Sequence, residues 1–131
     1  MAKTIIQSVA FKNVSAKQLY ETYMDSKKHA AAIGAEASIQ NKVGGTFSVW
    51  DGMLEGKNLL LIKDKMIVQT WRSTAWDKTD EDSILTFRIE EVKGGARMEM
   101  VHAFVPDHDY EGIKEGWPTY YWKPWKAYFK K

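Results

Sequence analysis

The sequence predicts an α+β fold: a curved antiparallel sheet of six or seven strands around a long C-terminal helix, with two short helices after the first strand. Three observations carry this. The chain opens on a β-branched apolar run, Thr4 to Phe11. From Glu36 to Val105, strand-like runs alternate with turn pairs. From Tyr110 to Lys131 the apolar residues recur at helical spacing.

Taken in order, the opening run Thr4-Ile5-Ile6-Gln7-Ser8-Val9-Ala10-Phe11 reads as a strand. Ser15 is a good N-cap, Gln18 stands where a capping box needs it, and Val14 with Leu19 can staple the first turn. Lys27 to Ile33 forms a second short helix, stopped by Gly34. Gly44-Gly45, Asp51-Gly52, Lys63-Asp64 and Gly94-Gly95 then supply hairpin turns. Taking Gly94-Gly95 as a two-residue loop pairs Ile89 with Met100, Phe87 with His102 and Leu85 with Phe104, all on one sheet face. In the last segment Ile113, Trp117, Tyr120, Tyr121, Pro124 and Tyr128 share about a third of the circumference, at roughly 100° per residue. Pro118 and Pro124 imply either a helix starting near Pro118 or a longer one kinked at both.

Composition narrows the function. The 131 residues, 15.1 kDa, fit one domain spanning 1–131, and 44% apolar content with six Trp excludes disorder. Lack of Cys excludes a disulfide scaffold, a thiolate nucleophile and a Cys-ligated metal. No signal-type or 18-residue apolar run occurs, so the expected setting is cytoplasmic, with no membrane role. A net charge of +2 with interleaved signs argues against a nucleic-acid partner. Lys123, Lys126, Lys130 and Lys131 read as complements to the negative end of a last helix.

Sheet and cylinder match imperfectly, so a gap between them is a natural apolar pocket. The candidates to line it are Phe47, Trp71, Leu85, Phe87, Ile89, Met98, Met100, His102 and Phe104 from the strands. From the helix come Ile113, Trp117, Tyr120, Tyr121 and Tyr128. The aromatics Trp71, Trp117, Tyr120, Tyr121 and Trp125 suit a lined cavity or a packed core equally well. His102 reads as a core histidine satisfied by a Tyr hydroxyl or a water, against a ligand-binding or proton-carrying alternative. Trp122 points away from the apolar face on a regular helix, a partner anchor or a residue packed beneath a loop unless a proline kink turns it inward. The acidic run Asp77 to Asp82 reads as a solvated loop, and Arg72 as an outer-face salt bridge. His29, His102 and His108 are far apart in sequence and give no metal set.

The blocks Gly44-Gly45-Thr46-Phe47-Ser48-Val49-Trp50-Asp51-Gly52, Gly56, Ile67-Val68-Gln69-Thr70-Trp71-Arg72 and Gly116-Trp117 with Tyr121, in this order, resemble the family named for the activator of heat shock protein 90 ATPase. The likeness is to the C-terminal domain of that co-chaperone and its single-domain relatives, within the START-like (SRPBCC, birch-pollen-allergen-like) superfamily of helix-grip folds. It spans residues 4–131, and Trp76 adds to it. The resemblance implies the helix-grip fold, a chaperone-associated or stress-related role without catalysis, and a heat shock protein 90-type chaperone as partner. The alternative is a carrier or sensor of a small hydrophobic or aromatic ligand, with Met98 and Met100 adapting to its shape. A cyclase- or hydrolase-like enzyme of the superfamily is the third reading. No catalytic residue, metal ligand or cofactor is assigned.

Overall fold

The computed structural model describes residues 2–130; of the terminal lysines, Lys131 lies outside the described residues. Strand β1 (Ala2–Lys12) leads into α1 (Ala16–Met24) and α2 (Ser26–Ile33). Six more strands follow: β2 (Ala37–Ile39), β3 (Thr46–Val49), β4 (Leu54–Ile62), β5 (Met66–Ser73), β6 (Ser83–Val92) and β7 (Gly95–Pro106). A short 3₁₀ turn (Asp107–Asp109) opens the helical C-terminal segment. The seven strands form one antiparallel sheet in the order β1-β7-β6-β5-β4-β3-β2.

The local signals act as the residues dictate. The Ser15 hydroxyl accepts from the Gln18 N–H (3.1 Å), and the Gln18 side chain accepts from the Ser15 N–H (2.8 Å), which closes the capping box of α1. Asp25 caps α2 by accepting from the Lys28 N–H. Gly34 ends α2 at φ 73°, a left-handed conformation that costs glycine little. Where β3, β4 and β5 cross, a Cβ on Gly56 would stand 1.9 Å from the Thr70 carbonyl oxygen and 2.5 Å from the Phe47 ring, so only glycine fits.

The β6–β7 hairpin corrects the expected pairing. Val92 pairs with Gly95, so the loop is Lys93-Gly94, and Gly94 takes φ 82°. Moving the turn by one residue slides the register by two: Ile89 pairs with Met98, Phe87 with Met100 and Leu85 with His102. Because strand side chains alternate with period two, these residues keep the inward face. Phe104 does not. Between Ile5↔His102 and Lys3↔Val105 the register of β1 and β7 shifts by one, and Phe104 sits at that bulge with φ 60°. Its ring is turned outward, 53% exposed, and Val105 takes the inward position.

The C-terminal segment is helical from Tyr110 to Phe129, in three parts: α3 (Tyr110–Trp117), a π-helical turn (Pro118–Trp122) and α4 (Lys123–Phe129). Pro118 has no N–H to give to the Lys114 carbonyl, and the Lys123 N–H reaches back five residues to the Pro118 carbonyl. Gln7 on β1 fills the gap. Its amide donates to the Lys114 carbonyl (2.9 Å), and its oxygen accepts from the Trp122 indole N–H (2.9 Å). The extra residue in the turn rotates Trp122 inward. It is buried and stacked on Trp117, with centroids 5.5 Å apart and planes 20° apart. The inward face is therefore Ile113, Trp117, Tyr121, Trp122 and Trp125, while Tyr120 is 53% exposed. Among the described residues no helix is long and apolar enough to cross a membrane.

Replacing Gln7 with Ala leaves a carbonyl and an indole N–H without partners at a half-buried seam. The Gln7→Ala variant should lose about 2 kcal/mol of stability, read by denaturant unfolding, with the far-UV helix signal retained.

Candidate functional site

Most of the expected cavity lining is packed solid. Phe47, Leu85, Phe87, Ile89, Met98, Met100 and His102 are buried in the core shared by sheet and helix. Tyr23 and Trp117 close on Phe87 edge-to-face, with centroids 4.9 and 5.7 Å away. Tyr128 lies away from these, over a shallow polar hollow that also takes in Gln18, Glu21 and Lys28.

The open space is at one end of the molecule. A cavity of about 340 Å³ lies between the N-terminal half of the long helix and the far side of the sheet. Trp71 of β5 forms one wall, and Ile113, Trp117 and Tyr121 form the facing one. Trp50 and Met53 from the β3–β4 turn and Leu54 at the start of β4 close the rim with Tyr120. Of the sequence candidates, the structure gathers Trp71, Ile113, Trp117, Tyr120 and Tyr121 here. Among the described residues, no Asp, Glu, Lys, Arg or His lines the cavity.

Backbone features hold it open. Gly112 and Gly116, one helical turn apart, both face the space. A Cβ on Gly116 would meet only the Tyr120 ring, at 3.6 Å, so helix packing does not demand glycine there. Glycine within a helix costs about 1 kcal/mol relative to Ala. Across the gap, Trp50, Asp51 and Gly52 take φ 56°, 56° and 85° in succession. A bulky aromatic with positive φ is strained. The Trp50 ring is held at the mouth edge-to-face with Tyr120, centroids 5.4 Å apart.

Two buried histidines brace the walls. The Trp117 indole N–H donates to His102 Nδ1 (3.2 Å), so the proton sits on Nε2, which donates to Ser83 Oγ (2.8 Å). Ser83 in turn donates to the Trp71 carbonyl (2.5 Å). His102 is thus satisfied by a tryptophan and a serine, and burial holds its pKa down, to about 3. His29 Nδ1–H donates to the Tyr23 carbonyl (2.8 Å), and Nε2 accepts from the Tyr121 hydroxyl (2.9 Å). Burial lowers its pKa to about 4, with the carbonyl bond acting the other way. Burial also pushes the Tyr121 phenol up, with the Trp50 indole acting the other way to a smaller extent. From Tyr23 the chain runs on: its hydroxyl donates to Gln69, Gln69 to Asn58, and Asn58 to the Gln40 and Lys42 carbonyls.

Comparison with known proteins decides the kinship. A family described as Activator of Hsp90 ATPase homolog 1-like protein matches residues 13–130. The chain belongs to this family. It is 31% identical over 99 residues to the activator of 90 kDa heat shock protein ATPase homolog of Dictyostelium discoideum, covering 75% of this chain and 26% of that protein. It is 26% identical over 115 residues to the human activator of 90 kDa heat shock protein ATPase homolog 1, covering 88% and 34%. The chain thus spans no more than 34% of the length of these curated relatives. A solved HSP90 activator from Plasmodium falciparum superposes with a TM-score of 0.84 at 22% identity, over 99% of this chain and 96% of that one; this likeness shows the fold alone.

Sequence reasoning missed Met53, Leu54 and Gly112 here, and treated Trp50 and Gly116 only as parts of a motif. The available signal was the pair of glycines four apart on a helix whose neighbours are aromatic. Asp77, Asp80 and His108 also come together, with His108 Nε2 2.8 Å from Asp80 Oδ2. Asp77 and Asp80 lie on the β5–β6 loop, where Arg72 pairs with Asp82 and donates to the Asp77 and Asp80 carbonyls, and His108 reaches them from the 3₁₀ turn.

The two core imidazoles give a pH prediction. In the unfolded chain both take up protons below about pH 6.5, whereas the native pKa values are about 4 and about 3. Stability should therefore fall as pH drops from 6.5 toward 4, with a slope approaching two protons per molecule. His29→Gln and His102→Gln should each reduce that slope by about one proton, measured by urea unfolding across the range.

Proposed function

We propose that this domain holds a small apolar molecule in the cavity between the β3–β4 turn, β5 and the N-terminal half of the long helix. The observation that carries it is a cavity of about 340 Å³ lined by aromatic and aliphatic side chains, with no acid or base among the lining residues. That volume falls at the small end of ordinary ligand sites, about 300–1,000 Å³. The helix keeps glycine at 116 although a larger residue fits there, and Trp50 accepts an unfavourable φ to form the rim. Without an acid–base pair at the cavity, the reading is a carrier or sensor rather than a cyclase or hydrolase.

A second reading is a chaperone-associated role, supported by membership of a family that includes activators of the 90 kDa heat shock protein ATPase. It predicts a salt-sensitive association with a purified heat shock protein 90-type chaperone at tens of micromolar, by light scattering or calorimetry. No association at that concentration counts against it.

The ligand reading is tested with Gly116→Leu, whose side chain grows into the cavity. A neutral aromatic ligand at 100 times its Kd adds about 2.7 kcal/mol, so the wild-type melting temperature should rise by several degrees. The Gly116→Leu protein should fold normally and show no rise. An equal rise in both proteins places the ligand elsewhere and defeats the reading.

A further inference from the structure

We infer that the ligand of this cavity is an uncharged, planar aromatic of two or three fused rings carrying a hydrogen-bond acceptor such as a ketone oxygen. The inference rests on the ligand-holding reading above and narrows it to a chemical class.

The six tryptophans sort by what their indole N–H groups do. Those of Trp76, Trp117 and Trp122 donate to Asp109, His102 and Gln7. That of Trp125 is sealed in the core without a partner. Trp50 and Trp71 are the two whose N–H is neither bonded among the described residues nor sealed, and both line the cavity. Trp71 is 95% buried all the same, since only 5% of its surface is exposed. An indole N–H can only donate. Two donors without a partner among the described residues, on side chains that line an otherwise apolar chamber, call for an acceptor on the occupant, because a guest that covers a donor without pairing it incurs the cost of an unsatisfied group.

The walls specify the rest. Trp71 and Trp117 stand with centroids 6.2 Å apart, Trp117 and Tyr121 4.8 Å apart, and Trp50 and Tyr120 meet edge-to-face at the mouth. Rings surrounding a space favour a flat aromatic guest, which gains offset or edge contacts on several sides. A saturated guest of equal size gains area burial alone. With no cationic or anionic side chain on the lining, a charged guest loses its hydration without compensation.

Four probes divide the possibilities: 2-acetylnaphthalene, its isostere 2-isopropenylnaphthalene without the acceptor, the anion 2-naphthoate, and saturated 2-acetyldecalin. Binding is followed by the indole N–H cross-peaks of ¹⁵N-labelled protein, with Gly116→Leu as control. The expected result is at least tenfold tighter binding of 2-acetylnaphthalene than of each other probe. The Trp50 and Trp71 signals should move downfield on its binding, while those of Trp76 and Trp122 stay. Equal binding of 2-acetyldecalin or 2-naphthoate overturns the aromatic, uncharged class and leaves the ligand-holding reading intact. Equal binding of the isopropenyl isostere, with unmoved indole signals, overturns the acceptor. If none of the four binds, or all bind Gly116→Leu as well as wild type, the ligand-holding reading fails and the inference with it.

Discussion

A missing hydrogen bond sets the geometry of the whole helix–sheet interface. Pro118 cannot donate to the Lys114 carbonyl, and the Gln7 side chain supplies the donor from the neighbouring strand. The same amide takes the Trp122 indole N–H on its other end, so one side chain satisfies both groups and pins the helix to β1. The helix pays for the irregularity with one residue of extra turn. That extra residue brings Trp122 onto Trp117 and sends Tyr120 out to the rim. A regular α-helix through the same residues would present a different set of aromatics to the sheet.

The position of the cavity follows from this arrangement. From the last residue of the π-helical turn onward, Trp122 and Trp125 fill the space between sheet and helix, and Trp125 is wholly buried against Phe11, Tyr23 and Phe129. Before it, α3 carries Gly112 and Gly116 toward the sheet and brings only Ile113 and Trp117 to the core. Large residues on one side of the turn and small ones on the other turn a single interface into a packed half and an open half. The opening therefore lies at the β3–β5 end of the sheet.

Much of this was legible in the residues, and the failures have physical causes. Ser15 and Gln18 define α1 because capping is local chemistry, readable within four residues. The inward faces of β6 and β7 survived an error in the turn because parity is insensitive to a shift of two. Phe104 was misassigned because a bulge resets parity, and no residue type announces one here. Trp122 points outward only on a regular helix, and the π-helical turn at Pro118 realises the proline-kinked alternative that turns it inward. Met53 and Leu54 escaped notice because they lie in a turn and at the first residue of β4, where no periodic pattern yet marks the inward side. A cavity is also a property of what is absent, so Gly112 and Gly116 carried a weaker signal than the aromatics around them.

The polar groups behind the aromatic walls show why the open half does not collapse. Tyr121 is anchored through His29 to the end of α1, and Trp117 through His102 and Ser83 to the backbone of β5 beside Trp71. Each imidazole is neutral, with one nitrogen accepting from a cavity ring, Trp117 or Tyr121, and the other donating to the Ser83 hydroxyl or the Tyr23 carbonyl, so it holds that ring in a single orientation. Collapse of the cavity would require Trp117 or Tyr121 to swing across it and leave a buried histidine nitrogen unpaired, a loss of about 1–3 kcal/mol for each. An apolar wall alone resists inward movement weakly, since filling the space would itself bury surface. Buried hydrogen bonds behind the rings reverse that preference, and the gap persists because the side chains around it are tethered from outside.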